Sequence, residues 1–148
     1  GLTRREQTPS DGRDFTGFTG RVDYRREISG RTGVLLRGYR RVWSTDQVDA
    51  NFATDSGLAA ELTWRWSVKT RLILEAEYRE IRYQNDTQVA TVTALRADDV
   101  HTGGVTVQWQ PLERLGVRLT GQREVRASNQ PGADFEVWVS QLQIRVGF

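Results

Sequence analysis

"LAAELTWRWSVKTRLILEAEYR", residues 58–79, is the stretch that decides how this chain is built. In its first half Leu58, Ala60, Leu62, Trp64 and Trp66 alternate with Ala59, Glu61, Thr63, Arg65 and Ser67. After a short break at 67–70, Leu72, Leu74, Ala76 and Tyr78 alternate with Arg71, Glu75, Glu77 and Arg79. Period-two patterning of this length marks a strand with one apolar and one polar face. Two such runs joined by "SVKT" read as an antiparallel hairpin.

The same alternation recurs on both sides. Phe18, Gly20, Val22 and Tyr24 oppose Arg21, Asp23 and Arg25. Val34, Leu36 and Gly38 oppose Arg37, Tyr39 and Arg41, with Leu35 out of phase. Gly103, Val105, Val107 and Trp109 oppose Thr102, Thr106, Gln108 and Gln110, and Leu115, Val117, Leu119 and Gly121 oppose Arg118, Thr120, Gln122 and Glu124. The chain ends on "WVSQLQIRVGF" (138–148), in which Trp138, Leu142, Ile144, Val146 and Phe148 share one face. Seven strands are expected, with no helix. "LTRREQT" (2–8) reads as the stump of an eighth strand followed by a loop at 9–14. The chain thus divides into residues 1–14, a truncated strand and external loop, and residues 15–148, the strands proper. The strand count predicts that the chain is the C-terminal part of a larger barrel.

Connection lengths alternate. Short ones fall at 28–32, 67–70 and 111–114. Long polar ones fall at 44–56, about 84–99 and 127–134. Pro9, Pro111 and Pro131 all lie in connections, as strand hydrogen bonding requires. Tight turns at one end and long loops at the other describe an all-β, antiparallel up-and-down sheet, the layout of a transmembrane β-barrel. On that reading the short turns are periplasmic. The membrane-interface aromatics are then Trp64, Trp66, Trp109 and Phe148 at the periplasmic rim and Tyr78 and Trp138 at the other, because aromatic rings favour the interface. A soluble β-sandwich alternates in the same way with its apolar face turned inward, and periodicity alone does not say which face is inside. Loop asymmetry, rim aromatics and the terminal Phe148 together favour lipid.

Composition narrows the functional classes. The chain has 148 residues, no cysteine, 37% hydrophobic and 27% charged residues, and a formal net charge of +2. Without cysteine there are no disulfides, thiolate metal sites or cysteine nucleophiles. No apolar run approaches the roughly 18 residues a membrane helix needs. The small net charge gives no case for a nucleic-acid partner. Lys69 is the one lysine among 21 basic residues, and arginine is the residue suited to planar pairing with carboxylates, phosphates or sulfates.

If the polar face lines a lumen, Arg21, Arg25, Arg37, Arg41, Arg65, Arg71, Arg79, Arg118, Arg126 and Arg145 project into it as a possible solute path. Asp23, Glu61, Glu75, Glu77, Glu124 and Glu136 are interleaved with them. Rings of charge set pore selectivity, although most of these charges are expected to neutralise each other across strands. The one histidine, His101, falls on the apolar parity near a loop with no marked partner, so no catalytic residue is expected. Asp46, Asp49 and Asp55, and the pair Asp98 and Asp99 ahead of a strand, are oxygen-rich. They lack the spacing of a calcium loop, and neither a metal nor a cofactor is expected. Gly103-Gly104 reads as a bulge or a close contact at a strand start.

Two stretches, "LTWRWSVKTRLILEAEYREIRYQ" (62–84) and "VTVQWQPLERLGVRLTGQREVRASN" (105–129), share a unit: a strand ending in Trp, a short turn, then a strand ending in an Arg-rich stretch. With the terminal strand ending in Phe148, they resemble the C-terminal half of the EpsL-type outer-membrane β-barrels associated with exopolysaccharide biosynthesis. The likeness covers about residues 15–148. It departs where the first unit has "WRWSVKT" and the second "WQPLER", with a turn proline. The resemblance implies a non-catalytic role in exopolysaccharide export or assembly in a Gram-negative outer membrane. Its implied partners are the lipid bilayer, the barrel-assembly machinery acting on the strand ending in Phe148, and an anionic polysaccharide. A general or anion-selective diffusion porin is the nearest alternative, and a soluble carbohydrate-binding β-sandwich is a more distant one.

Overall fold

The computed structural model describes residues 2–5, 15–47, 50–84 and 96–147, with side chains over 18–43, 53–83 and 96–147. Nine strands are present and, among the described residues, no helix. They are β1 (Leu2–Arg5), β2 (Phe15–Phe18), β3 (Gly20–Ser29), β4 (Thr32–Gln47), β5 (Ala50–Arg65), β6 (Thr70–Gln84), β7 (Ala97–Leu112), β8 (Leu115–Ser128) and β9 (Phe135–Val146). β3 to β9 form one seven-stranded antiparallel sheet in strict sequence order, while β1 pairs with β2 in a separate two-stranded ladder. The alternating sequence thus folds as an up-and-down meander. The sheet is open, and its edge strands β3 and β9 are exposed almost throughout.

Register shows which residues share a face, because directly opposed residues in antiparallel strands point the same way. Val22, Gly38, Leu58, Tyr78, His101 and Val125 form one row, and Val34, Leu62, Leu74, Val105 and Gly121 another. Thr32, Trp64, Leu72, Val107, Leu119 and Leu142 form a third. This is the apolar face, and its side chains are uncovered: Leu58 is 68% exposed, Trp109 49%, Leu142 62% and Ile144 60%. The small buried core lies on the opposite, polar face, where Ala53, Ile81, Tyr83 and Val100 close over one another near the end of the sheet remote from the short turns. The buried apolar cluster therefore lies on the polar side of the sheet.

The rows also carry a stagger. The charged upper border of the apolar band falls at Arg40 on β4. Following that row across Ser56, Glu80 and Asp99 leads to Ala127 on β8, yet the border residue of β8 is Arg123, four positions lower. The lower limit behaves alike. Thr32 at the β3–β4 turn shares a row with Leu119, and the β7–β8 turn begins from Leu115, again four positions lower. Four residues over four strand steps is one residue per strand. With a rise of about 3.3 Å per residue and strands about 4.8 Å apart, that corresponds to a tilt of about 35°.

Several expectations are corrected. The long loop at 44–56 does not exist as such: β4 runs to Gln47 and β5 begins at Ala50, with Ser44 opposite Phe52 and Gln47 opposite Ala50. The ladder carries on into this polar stretch from the regular pairs Val42 with Thr54 and Trp43 with Ala53. Likewise β7 starts at Ala97, so Asp98 and Asp99 lie on a strand and not before one, and His101, four residues into β7, stands opposite Tyr78. Gly103 and Gly104 pair regularly with Ala76 and Glu75, with no bulge; the register shift in β7 comes at Trp109/Leu112. Glu136 belongs to the apolar side, opposite Val125, and not to the polar wall. The loop from 129 to 134 holds the expected turn: Ala133 N–H donates to the Gln130 carbonyl at 3.2 Å, with Pro131 in second place and Gly132 at φ 81° in third. Only glycine adopts that φ without strain. The loop expected at 84–99 falls, over 85–95, outside the described residues, as do 6–14 and Phe148.

Candidate functional site

The polar face is divided along its length into two electrostatic zones. Toward the end remote from the short turns, every arginine on the face has a carboxylate. Asp23 accepts from Arg21 Nε at 2.7 Å and from Arg37 Nε at 2.8 Å. Arg41 reaches Asp55 Oδ2 through Nη2 at 2.7 Å, and Arg79 approaches Glu124 at 3.8 Å. Asp98, with no exposed surface, takes Arg96 at 2.8 Å and the Ser128 hydroxyl at 2.6 Å, with Arg126 at 3.9 Å. Burial pushes the Asp98 carboxyl up, but the hydrogen bonds from Arg96 and Ser128 and the two guanidinium charges outweigh it. The net effect holds its pKa below the usual aspartate value. The guanidinium carbons of Arg96 and Arg126 stand over the rings of Tyr83 and Phe135, at 4.9 Å and 4.7 Å, so each cation has both a carboxylate and an aromatic face.

Between these pairs Tyr39 lies across Gly57, its direct register partner, and donates to Glu77 Oε1 at 2.7 Å. A Cβ on Gly57 would stand 2.6 Å from the Tyr39 ring, so glycine is what lets the ring lie on the sheet.

The zone at the short-turn end is different. Arg65 and Arg71 are opposed in register, and the same row continues through Gln108 to Arg118 and Gln143. Arg145 lies one row below, opposite Gly116. With Arg31 these side chains line a cleft of about 810 Å³ in which Glu113 is the one carboxylate. Arg31, Arg65, Arg71, Arg118 and Arg145 form no ion pair among the described residues. The reason is spacing: Glu61 and Glu75, the carboxylates on the same two strands, lie four residues up from Arg65 and Arg71, about 13 Å away, and Glu27, in the row between, stands two strands off on β3. Lys69 serves a different purpose, since its Nζ donates to the Pro111 carbonyl at 2.6 Å and ties two neighbouring turns together.

All ten arginines singled out from sequence stand on the polar face. Arg21, Arg37, Arg41, Arg79 and Arg126 fall in the paired zone and Arg65, Arg71, Arg118 and Arg145 in the unpaired one. Arg25 sits on edge strand β3 without an ion pair among the described residues. Arg31, Gln108 and Gln143 escaped the sequence reading; a parity count continued through the turns finds the two glutamines, whereas Arg31 belongs to a turn and has no parity.

Of the interface aromatics, Trp64, Trp66, Trp109, Tyr78 and Trp138 all stand exposed and share the apolar side. Trp64 and Trp66 stack with centroids 5.6 Å apart at the short-turn end. At the other border the polar tips are tied to carboxylates: Tyr78 OH to Asp99 at 3.0 Å and Trp138 Nε1 to Glu136 at 2.9 Å, where Arg123 also binds at 2.9 Å. His101 packs its ring 5.0 Å from Tyr78 on this same side. Among the described residues there is no cluster of three or more potential metal ligands; Asp55 and Asp98 are taken by arginine, and the side chains of Asp46 and Asp49 lie outside the described set. Comparisons with protein-family models, curated proteins and solved structures return no match.

Proposed function

We propose that this chain is wall of a transmembrane β-barrel in the outer membrane of a Gram-negative bacterium, taking part without catalysis in the export or assembly of exopolysaccharide. The observation that carries the membrane part is the inversion of burial: the apolar side chains stand uncovered on one face, while the buried apolar cluster and six of the eight ion pairs among the described residues occupy the other. A soluble sandwich would bury Leu58, Leu62, Leu74 and Val107 first. Two further features support it. On β7 the band from His101 to Trp109 covers nine residues, about 22 Å in height at a 35° tilt, close to the apolar belt of about 25 Å of such barrels. Both of its borders carry aromatics, as the interface favours.

The exopolysaccharide assignment rests on the family resemblance of 62–84 and 105–129. A diffusion porin selective for anions is the second reading, favoured by the unpaired arginines at the turn end. Refolding from urea with and without phosphatidylcholine vesicles, followed by far-UV circular dichroism and tryptophan emission, tests the membrane reading. β-Structure with blue-shifted emission is expected only with lipid. Cooperative folding in plain buffer would refute it. Deleting the gene and measuring surface polysaccharide separates the conduit from the porin.

A further inference from the structure

The arginines at the short-turn end differ from the other arginines of the polar face, Arg25 on the edge strand apart, in forming no ion pair among the described residues. Arg65, Arg71, Arg118 and Arg145 stand on β5, β6, β8 and β9, so the series spans four strand steps, about 19 Å. That is too long for one small anion and suits a chain carrying several. Gln108 and Gln143 alternate with the arginines in the row and add neutral donors and acceptors fit for hydroxyl groups. Guanidinium binds a carboxylate with two parallel hydrogen bonds, a geometry an ammonium lacks. The cleft is open, its arginines are exposed, and its one carboxylate, Glu113, lies in a turn at its edge.

We infer that this row is a binding site for an acidic oligosaccharide, one whose sugar units carry repeated carboxylates. The assignment rests on the barrel reading above, in which the short turns face the periplasm. The site then lies at the periplasmic mouth of the lumen and receives a polyanion on the side where it would be delivered. Farther along, the arginines of the face are balanced in number by Asp23, Asp55, Glu61, Glu75, Glu77, Asp98 and Glu124, so little net charge is left to retain it. A site at the mouth followed by a neutralised wall captures the polymer without holding it along its whole path.

The test is calorimetric titration of the chain, folded in detergent micelles, with oligogalacturonate, galacturonate monomer and polyphosphate. Oligogalacturonate is expected to bind, more weakly as salt rises. Arg71→Gln and Arg118→Gln should each weaken it about three- to tenfold, the range between an exposed and a charge-assisted contact. Arg71→Lys should lose part of that affinity. Arg21→Gln, at the far end and paired with Asp23, should leave binding unchanged. Circular dichroism of each variant separates lost binding from lost fold. A well-folded chain that ignores oligogalacturonate overturns the site and leaves the barrel standing. Equal affinity for the monomer overturns the polymer, and preference for polyphosphate overturns the sugar acid. Failure to form β-structure with lipid or micelles removes the barrel reading and the site with it.

Discussion

A charge placed on the apolar face separates a lipid-facing surface from any other, because its cost depends on depth. Leu74 stands in the middle of the band, opposite Leu62 on one side and Val105 on the other, and is 41% exposed. Arginine at the midplane of a bilayer-spanning strand costs about 2–4 kcal/mol, falling to about 0–1 kcal/mol near the interface. Leu74→Arg should therefore shift the folding equilibrium in vesicles by roughly 30- to 900-fold, at about 1.4 kcal/mol per factor of ten. Ala127→Arg provides the comparison outside the band: Ala127 is exposed, opposes Asp99 and stands four residues beyond the β8 border at Arg123, so its cost should be near zero, offset by the new pairing. Urea titration of vesicle-bound protein followed by tryptophan emission measures both. If the two substitutions cost the same, or Leu74→Arg costs less than about 1 kcal/mol in vesicles, the band does not sit in hydrocarbon and the membrane reading fails.

Removing one side of the buried ion pairs tests the wall beyond the band. Asp98→Asn leaves Arg96 and Arg126 without their main counter-charge, and should cost about 2–3 kcal/mol, below the range for fully buried pairs because both arginines retain some exposure. Because folding lowers the Asp98 pKa, its contribution is complete above the unfolded value of about 4 and is lost as pH falls through the lower folded value. Urea midpoints should be flat down to about pH 4.5 and then fall more steeply in the wild type than in Asp98→Asn; parallel profiles would remove Asp98 from the account. Gly57→Val puts a side chain where the Tyr39 ring lies, 2.6 Å from the new Cβ, and should cost about 1–3 kcal/mol by overpacking. Tyr39→Phe keeps the ring and loses only the bond to Glu77, about 1 kcal/mol; a larger loss than Gly57→Val would mean the bond, not the close approach, fixes the ring.

Strand identity and facing were legible from parity, since alternation is a local property of the chain: Leu58 to Trp66 and Leu72 to Tyr78 announce themselves. Strand length was not. Residues 44–56 look like a loop because polar residues, Asp46, Asp49 and Asp55 among them, outnumber the apolar ones, yet β4 runs on to Gln47 and β5 begins at Ala50. Backbone pairing responds to the neighbouring strand, which composition does not reveal. Glu136 was misplaced because its parity had to be counted from the terminal strand through Phe135 and Val137, where both faces are apolar. The division between paired and unpaired arginines was also hidden. It depends on which residues share a row, so Asp23 beside Arg37 and Arg65 beside Arg71 emerge only once the register is known.

The open sheet imposes one further condition on the barrel reading. β3 and β9 are separated by six reversals, so they run in the same direction. Joining these two edges directly would make a parallel pair, whereas closure in an antiparallel barrel needs an odd number of additional strands between them, the first running against β3. Lipid supplies no partner for free edge groups, so a sheet with this apolar face cannot stay open there. β1 has the required direction: it is antiparallel to β2, from which the chain passes through Thr19 alone into β3. The even strand number of bacterial single-chain barrels follows from the same parity, and β1 stands beside β2 at the edge where the first closing strand would run.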